Sequence, residues 1–274
     1  MKLSIKSTFN LNQKVKIPLL GLGTWQAENM EVEEAVYHAL KVGYRHIDTA
    51  KIYGNELGIG RAIKKAMSDF KIKREDLFIT TKLWNSDHHN PLNAFERSRI
   101  CLDLDYIDLY LIHWPVSQRL RSWQIMQSLV KEKRCLAVGV SNFTIQHLQE
   151  IIKLGLPVPS INQVEFSPFL YQKDLLEFCQ EKGIILEAYS PLTRGEKLNH
   201  PIIKRLAEKY SKTPAQIFLR WALQHEIVII PKSTNPERIE ENADIFDFSI
   251  SQTDMNILNS LDEGYRTCWN PENL

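Results

Sequence analysis

The sequence predicts an α/β fold, a (β/α)8 TIM barrel with an N-terminal β-hairpin, and three observations carry that reading. Eight short apolar runs alternate with amphipathic, helix-like stretches along the chain. Several of the runs are almost continuously apolar, as strands covered on both faces must be. No linker, composition break or sequence repeat divides the 274 residues, a length that suits one closed barrel of about 250 residues. Residues 1–274 are therefore expected to form a single barrel domain.

Taken in order, residues 8 to 17 alternate about Asn12-Gln13 and read as the hairpin. The apolar runs follow at residues 19–22, 45–48, 77–81, 107–112, 136–140, 160–165, 184–188 and 227–230. Between them, Val32, Ala35, Val36, Ala39 and Leu40 keep a helical period, and Leu175, Leu176 and Phe178 keep a shorter one. Asn90-Pro91, His200-Pro201 and Thr213-Pro214 place a capping residue before a proline at a helix start, with Thr144 and Glu237 at the heads of further helices.

Bulk properties narrow the function. A formal charge of +1 gives no field for nucleic acid or an acidic membrane, so any anion site must be local. The N-terminus lacks the apolar core of a secretory signal, and no apolar run nears the ~20 residues that span a bilayer. A cytoplasmic protein is expected. Cys101, Cys135, Cys179 and Cys268 show no metal-like spacing, and buried free thiols are the expectation. His88-His89 lacks companion ligands, so no metal site is expected. Asn142-Phe143-Thr144 matches a glycosylation sequon by chance.

A barrel of this kind builds its site at the C-terminal ends of its strands. Three consecutive strands there end in Asp48, Lys82 and His113, and Tyr53 follows five residues past the acid. Each alone has a bland explanation: a hydrogen-bonded histidine, an anion-binding lysine, a packed tyrosine. Together they suit carbonyl reduction, which needs a hydride on carbon and a proton on the developing alkoxide. A tyrosine of ordinary pKa, about 10, is a poor donor at neutral pH. The Lys82 ammonium would lower it, Asp48 would partner the lysine, and His113 would donate to the substrate oxygen. Two other uses stay open at this point: Lys82 as a Schiff-base nucleophile in a lyase, or a non-catalytic, cofactor-sensing barrel.

Neither Walker A nor the full GxGxxG spacing is present, so no Rossmann site is expected. The loops after strands seven and eight offer a different phosphate site. Past the eighth run stands Pro231-Lys232-Ser233-Thr234-Asn235-Pro236-Glu237-Arg238, in which Lys232 and Arg238 flank a helix start that already favours an anion.

These motifs carry a resemblance. Asp48-x4-Tyr53, then Lys82, then His113 match in order, spacing and strand position the tetrad of the aldo-keto reductases, and the chain is similar to their smaller microbial branch over essentially its full length. The resemblance implies a barrel that reduces aldehydes and ketones with NADPH, with Tyr53 as proton donor, Lys82 and Asp48 tuning it, and His113 orienting the carbonyl. It implies that Lys232, Ser233 and Arg238 hold the 2′-phosphate and that Glu241 and Asn242 meet the adenine. It further places Ser141, Asn142 and Gln163 on the carboxamide, Tyr189 on the ring, and Ser190 and Leu192 on the pyrophosphate. Thr193-Arg194 departs from the commoner Gly-Ser or Gly-Arg in that last loop. Trp25, Trp84 and Trp114 correspond to pocket-wall aromatics around a small carbonyl substrate. Arg119 and Arg121 lie on a rim segment, and the short tail at 264–274 implies an open pocket. A monomer is expected.

Overall fold

The computed structural model describes residues 3–12 and 15–273. The alternating N-terminal stretch pairs β1 (Thr8–Asn10) with β2 (Lys16–Pro18) as an antiparallel ribbon. The turn expected at Asn12-Gln13 falls partly outside the described residues.

Eight parallel strands follow: β3 (Gly21–Gly23), β4 (His46–Asp48), β5 (Phe78–Leu83), β6 (Ile107–Ile112), β7 (Cys135–Ser141), β8 (Ile161–Glu165), β9 (Ile185–Tyr189) and β10 (Val228–Ile229). Each hydrogen-bonds to the next, and the ring closes where Ile229 N–H donates to Leu19 C=O at 2.9 Å and Gly23 N–H to Pro231 C=O at 3.1 Å. Every predicted strand is present within about two residues. The last is shortest because Pro231, following it, has no N–H for a ladder.

Helices cover the outside: α1 (Asn29–Val42), α2 (Glu56–Phe70), α3 (Pro91–Cys101), α4 (Arg119–Lys131), α5 (Ile145–Lys153) and α6 (Lys173–Glu181) each follow one strand. Two helices, α7 (Pro201–Tyr210) and α8 (Pro214–Gln224), separate β9 from β10, and α9 (Pro236–Ala243) and α10 (Gln252–Asn259) end the fold. The start signals act as read except at His200, which precedes Pro201 at the head of α7 but makes no side-chain capping bond. Asn90, Thr144 and Thr213 side chains accept from the N–H three residues on; α9 begins one residue before Glu237, capped by Asn235. All four cysteines are free thiols; Cys135 and Cys179 are buried as expected, but Cys101, at the end of α3, is exposed and Cys268 is only half-buried. The core-facing stripe of α3, Ala94, Phe95 and Ser98, continues to the fully buried Leu102, four residues past Ser98, and leaves Cys101 beside it in solvent.

Side chains on a strand alternate faces, so every second residue points into the barrel. Those inward positions grade from apolar to polar along each strand: Phe78–Thr80–Lys82, Leu109–Leu111–His113, Ala137–Gly139–Ser141, Ile161–Gln163, Ile185–Glu187–Tyr189. At the N-terminal end, Leu11, Val15 and Ile17 of the hairpin region pack on Phe78, Leu109, Leu111, Ala137, Ile161 and Val228. The ribbon therefore plugs the barrel floor, and the polar residues are left to the opposite, open end. Among the described residues no helix is long and apolar enough to cross a membrane.

Candidate active site

Asp48 is the last residue of β4 and Lys82 lies near the end of β5, and the two strands are directly paired. A short helical turn, Lys51–Tyr53, returns Tyr53 over the barrel mouth. It is closed by Gly54, whose φ of 69° in the left-handed region suits glycine. The Lys82 ammonium donates to Asp48 Oδ1 at 2.6 Å, to Thr49 C=O at 2.9 Å and to the Tyr53 hydroxyl at 3.3 Å. His113, one residue past β6, presents its ring edge-on to Tyr53, with centroids 5.8 Å apart. The four residues predicted from strand ends are thus one cluster.

Its electrostatics differ from the simplest expectation in one respect. Burial opposes a charge on Lys82, but Asp48 and Tyr53 hold it above the ordinary lysine range. Burial also pushes the Tyr53 hydroxyl above its ordinary value; Lys82 pulls the other way without reversing it. The tyrosine therefore keeps its proton more firmly than an exposed one, where the sequence led us to expect a lowered pKa. Desolvation of the hydroxyl, which depends on the fold and not on the neighbouring residue types, outweighs the lysine. Burial, then Lys82, holds His113 well below the usual histidine range, so its imidazole is neutral. Its Nδ1 is buried and has no hydrogen-bond partner among the described residues.

On one flank the predicted nicotinamide-side residues form a connected chain. Tyr189 donates to Asn142 Oδ1 at 2.8 Å, and Asn142 Nδ2 donates to His113 C=O at 2.9 Å and to Ser141 Oγ at 3.1 Å. Ser141 donates to Gln163 C=O at 2.8 Å, and Gln163 Nε2 reaches Asp48 Oδ2 at 2.8 Å. Asn142 is buried and holds φ at 64°, which removes it as a glycan acceptor. Ser190, Thr193 and Arg194 also lie at positive φ, so the departure at Thr193-Arg194 is built as a strained turn, and Leu192 sits within it.

Further round, Asn235 caps α9 by accepting from Arg238 N–H at 3.0 Å, and Asn235 N–H donates to Ser233 Oγ at 3.2 Å. Lys232 and Arg238 are exposed and make no ion pair among the described residues, although acids surround them in sequence. Two uncommitted cations beside a helix N-terminus are the donor set a phosphate requires. Asn242 is buried on α9, whereas Glu241 already accepts the Thr213 hydroxyl and so helps anchor α8.

Of the tryptophans expected to wall the pocket, Trp25 lies 4.8 Å from Tyr53 and Trp84 5.1 Å from His113, ring to ring. Trp114 is buried against a residue the sequence did not flag: Trp269, 65% exposed, with centroids 5.5 Å apart. The tail is short but lies against this mouth. Glu165 accepts from Thr267 N–H and Oγ, both at 2.6 Å, and from Cys268 N–H at 3.3 Å. Arg194 Nη2 meets Cys268 Sγ at 3.3 Å. Arg119 is not a free rim cation: it binds Glu150 through two nitrogens, at 3.0 and 2.6 Å, and caps Pro115 and Val116 carbonyls. Arg121 is exposed on α4. Among the described residues no cluster of His, Cys, Asp and Glu is placed to hold a metal ion.

The mouth of this parallel barrel thus gathers a lysine–carboxylate pair, a tyrosine and a neutral histidine, the set the sequence predicts for an oxidoreductase. The chain belongs to the aldo/keto reductase family, whose model matches residues 19–263. It is 47% identical to the glyoxal reductase of Bacillus subtilis, covering all of this chain and 99% of that one. Among solved structures, MGS-M4, an aldo-keto reductase from a Medee basin deep-sea metagenome library, superposes with a TM-score of 0.93 at 41% identity, over 98% of this chain and 99% of that one. A Bombyx mori aldo-keto reductase in complex with NADP gives 0.91 at 35% identity, over 97% and 96%.

Proposed function

We propose that this protein reduces aldehydes and ketones, small 2-oxoaldehydes and sugar-derived or aromatic carbonyls among them, to alcohols with NADPH, and that Tyr53 supplies the proton. The observation that carries the reading is the single Lys82 ammonium bonded at once to Asp48 and to the Tyr53 hydroxyl, facing a neutral histidine. NADPH supplies the hydride when bound. The residues that fit it are the linked Ser141, Asn142, Gln163 and Tyr189 for the nicotinamide, Ser190 and Leu192 for the pyrophosphate, and Lys232, Ser233 and Arg238 for the 2′-phosphate. Asn242, and Glu241 beside it, face the adenine in this assignment.

His113, uncharged, donates one N–H to the carbonyl oxygen and sets its direction toward Tyr53. Tyr53, held protonated by its burial, transfers that proton as negative charge builds on the oxygen. The tyrosinate left behind is stabilised by Lys82, already in place at 3.3 Å and already charged. Asp48 keeps Lys82 charged. This same geometry disfavours a lyase, because a Schiff-base nucleophile must be a neutral, free amine. Trp25, Trp84, Trp114 and Trp269 exclude water and accept apolar or sugar-like faces.

The test is consumption of NADPH and of NADH with a panel of aldehydes and ketones, glyoxals included. The proposal expects turnover with several carbonyls and a preference for NADPH. A folded, NADPH-binding protein that turns over none of them would refute catalysis.

A further inference from the structure

Beneath Asp48 lies a carboxyl group that the proposed reaction leaves unused. Glu187, at the inward position of β9 two residues before Tyr189, is completely buried. Its Oε2 accepts from Gln163 Nε2 at 2.7 Å, and that same nitrogen donates to Asp48 Oδ2 at 2.8 Å. A primary amide nitrogen carries two hydrogens, so both are committed to carboxyl oxygens. The reverse orientation would press an amide oxygen against Asp48. Gln163 Oε1 accepts no hydrogen bond among the described residues, whereas Nε2 makes two. It is the one polar atom of that side chain left for a ligand.

We infer that Glu187 is a positioning residue: together with Asp48 it fixes the Gln163 amide so that its carbonyl oxygen, an acceptor, is what the cofactor carboxamide meets. The inference rests on the cofactor reading above. Asp48 alone can hold one hydrogen and leaves the amide free to swing about that bond; the second acceptor removes the freedom. The charged and titratable groups facing Glu187 are Asp48 and His46 from β4 and Lys82 from β5, with Gln163 between. His46 Nε2 is 3.6 Å from Glu187 Oε1, beyond a hydrogen bond, and burial followed by Lys82 lowers its pKa to about 3, so it brings no charge. Burial, then repulsion from Asp48, raises the Glu187 carboxyl to about 8. It is therefore neutral near pH 7, an acceptor that does not compete with Asp48 for Lys82. Because its folded pKa lies above the ordinary 4.5, the stability it contributes is full below that value and is lost as pH rises through about 8.

The test is NADPH affinity by fluorescence titration, with thermal unfolding of the cofactor-free protein across pH. Glu187→Leu removes the second acceptor and should weaken NADPH binding about fivefold to tenfold. Glu187→Gln keeps an acceptor oxygen and should bind within about twofold of wild type, while losing the wild type's fall in Tm toward alkaline pH. In a Gln163→Leu background, adding Glu187→Leu should cost no further affinity. Should Glu187→Leu alone fail to fold, the apolar double variant still decides the matter against Gln163→Leu. Wild-type affinity in folded Glu187→Leu, or further loss in the double variant, overturns the inference alone. A wild-type protein that binds no NADPH overturns the cofactor reading, and the inference with it.

Discussion

Replacing Lys82 by methionine should destabilise the protein far more than its volume change implies. The lysine side chain is fully buried, as is Asp48, and the charged atoms are 2.6 Å apart. At that distance two unit charges attract by ~6 kcal/mol at an effective dielectric near 20. Part of this only offsets the cost of burying the ions, and deleting one partner of such a pair typically costs about 3–5 kcal/mol because the other charge is stranded. Methionine fills the space of the lysine stem, so the cavity contribution is small. At roughly 2–4 °C per kcal/mol for a chain of this size, Tm should fall by about 10 °C. Asp48→Asn should also destabilise, since Asn cannot offer acceptors to both Lys82 and Gln163. The double variant Lys82→Met/Asp48→Asn leaves no buried charge and should recover at least half the loss. Burial already lifts Asp48 above the ordinary carboxylate range, with Lys82 drawing it back. Without Lys82 the folded state holds that proton more tightly than the unfolded one, so the deficit of Lys82→Met should shrink as pH falls toward about 4. Thermal unfolding followed by circular dichroism measures all three. If Lys82→Met stays within about 1 kcal/mol of wild type, or the single effects simply add, the ion pair is not the coupled unit described above.

Two further expectations concern the cofactor run and the barrel seam. Lys232→Ala and Arg238→Ala should each weaken NADPH binding by about 10- to 100-fold, the worth of a charge-assisted contact, and leave NADH affinity within about twofold; equal losses for both nucleotides would remove these residues from the 2′-phosphate. Gly23→Ala places a Cβ 2.7 Å from the Ile230 carbonyl oxygen, at the closure of β3 on β10, where backbone cannot give way. It should cost about 1–3 kcal/mol, and an unchanged Tm would contradict the seam as drawn.

Much of this was legible in the chain because a short apolar run does two things at once. The run that marks residues 107–112 as a strand also puts His113 at its C-terminal end, where a barrel gathers its site, and the same placement brings in Asp48 and Lys82. Local signals of this kind gave the eight strands, the helix caps and the four residues of the cluster. What stayed hidden depends on contacts distant in sequence. Glu165 and Thr267 are 102 positions apart and Trp269 packs on the still more distant Trp114, and nothing local says that the tail returns to the mouth. Glu187 did leave a trace, a lone acid inside the run Ile184–Ile185–Leu186–Glu187–Ala188, at a parity that points inward. Whether such an acid is paired or protonated depends on β4 and β8, beside it only in the fold. The Tyr53 pKa differs from expectation for a similar reason: the neighbouring charge is readable from sequence, and the loss of water is not. Arg119 reads as a rim cation in the sequence because its partner, Glu150, lies on the next helix.

In the proposed function Tyr53 gives its proton to a carbonyl reduced by the bound nicotinamide. The most direct measurement compares wild type with Tyr53→Phe, which removes one hydroxyl, for NADPH oxidation in the presence of glyoxal and for NADPH affinity in its absence. Turnover should fall by a factor of about 10²–10⁴, with the affinity within about twofold of wild type. A Tyr53→Phe variant that binds NADPH normally and still turns over at the wild-type rate would contradict the assignment.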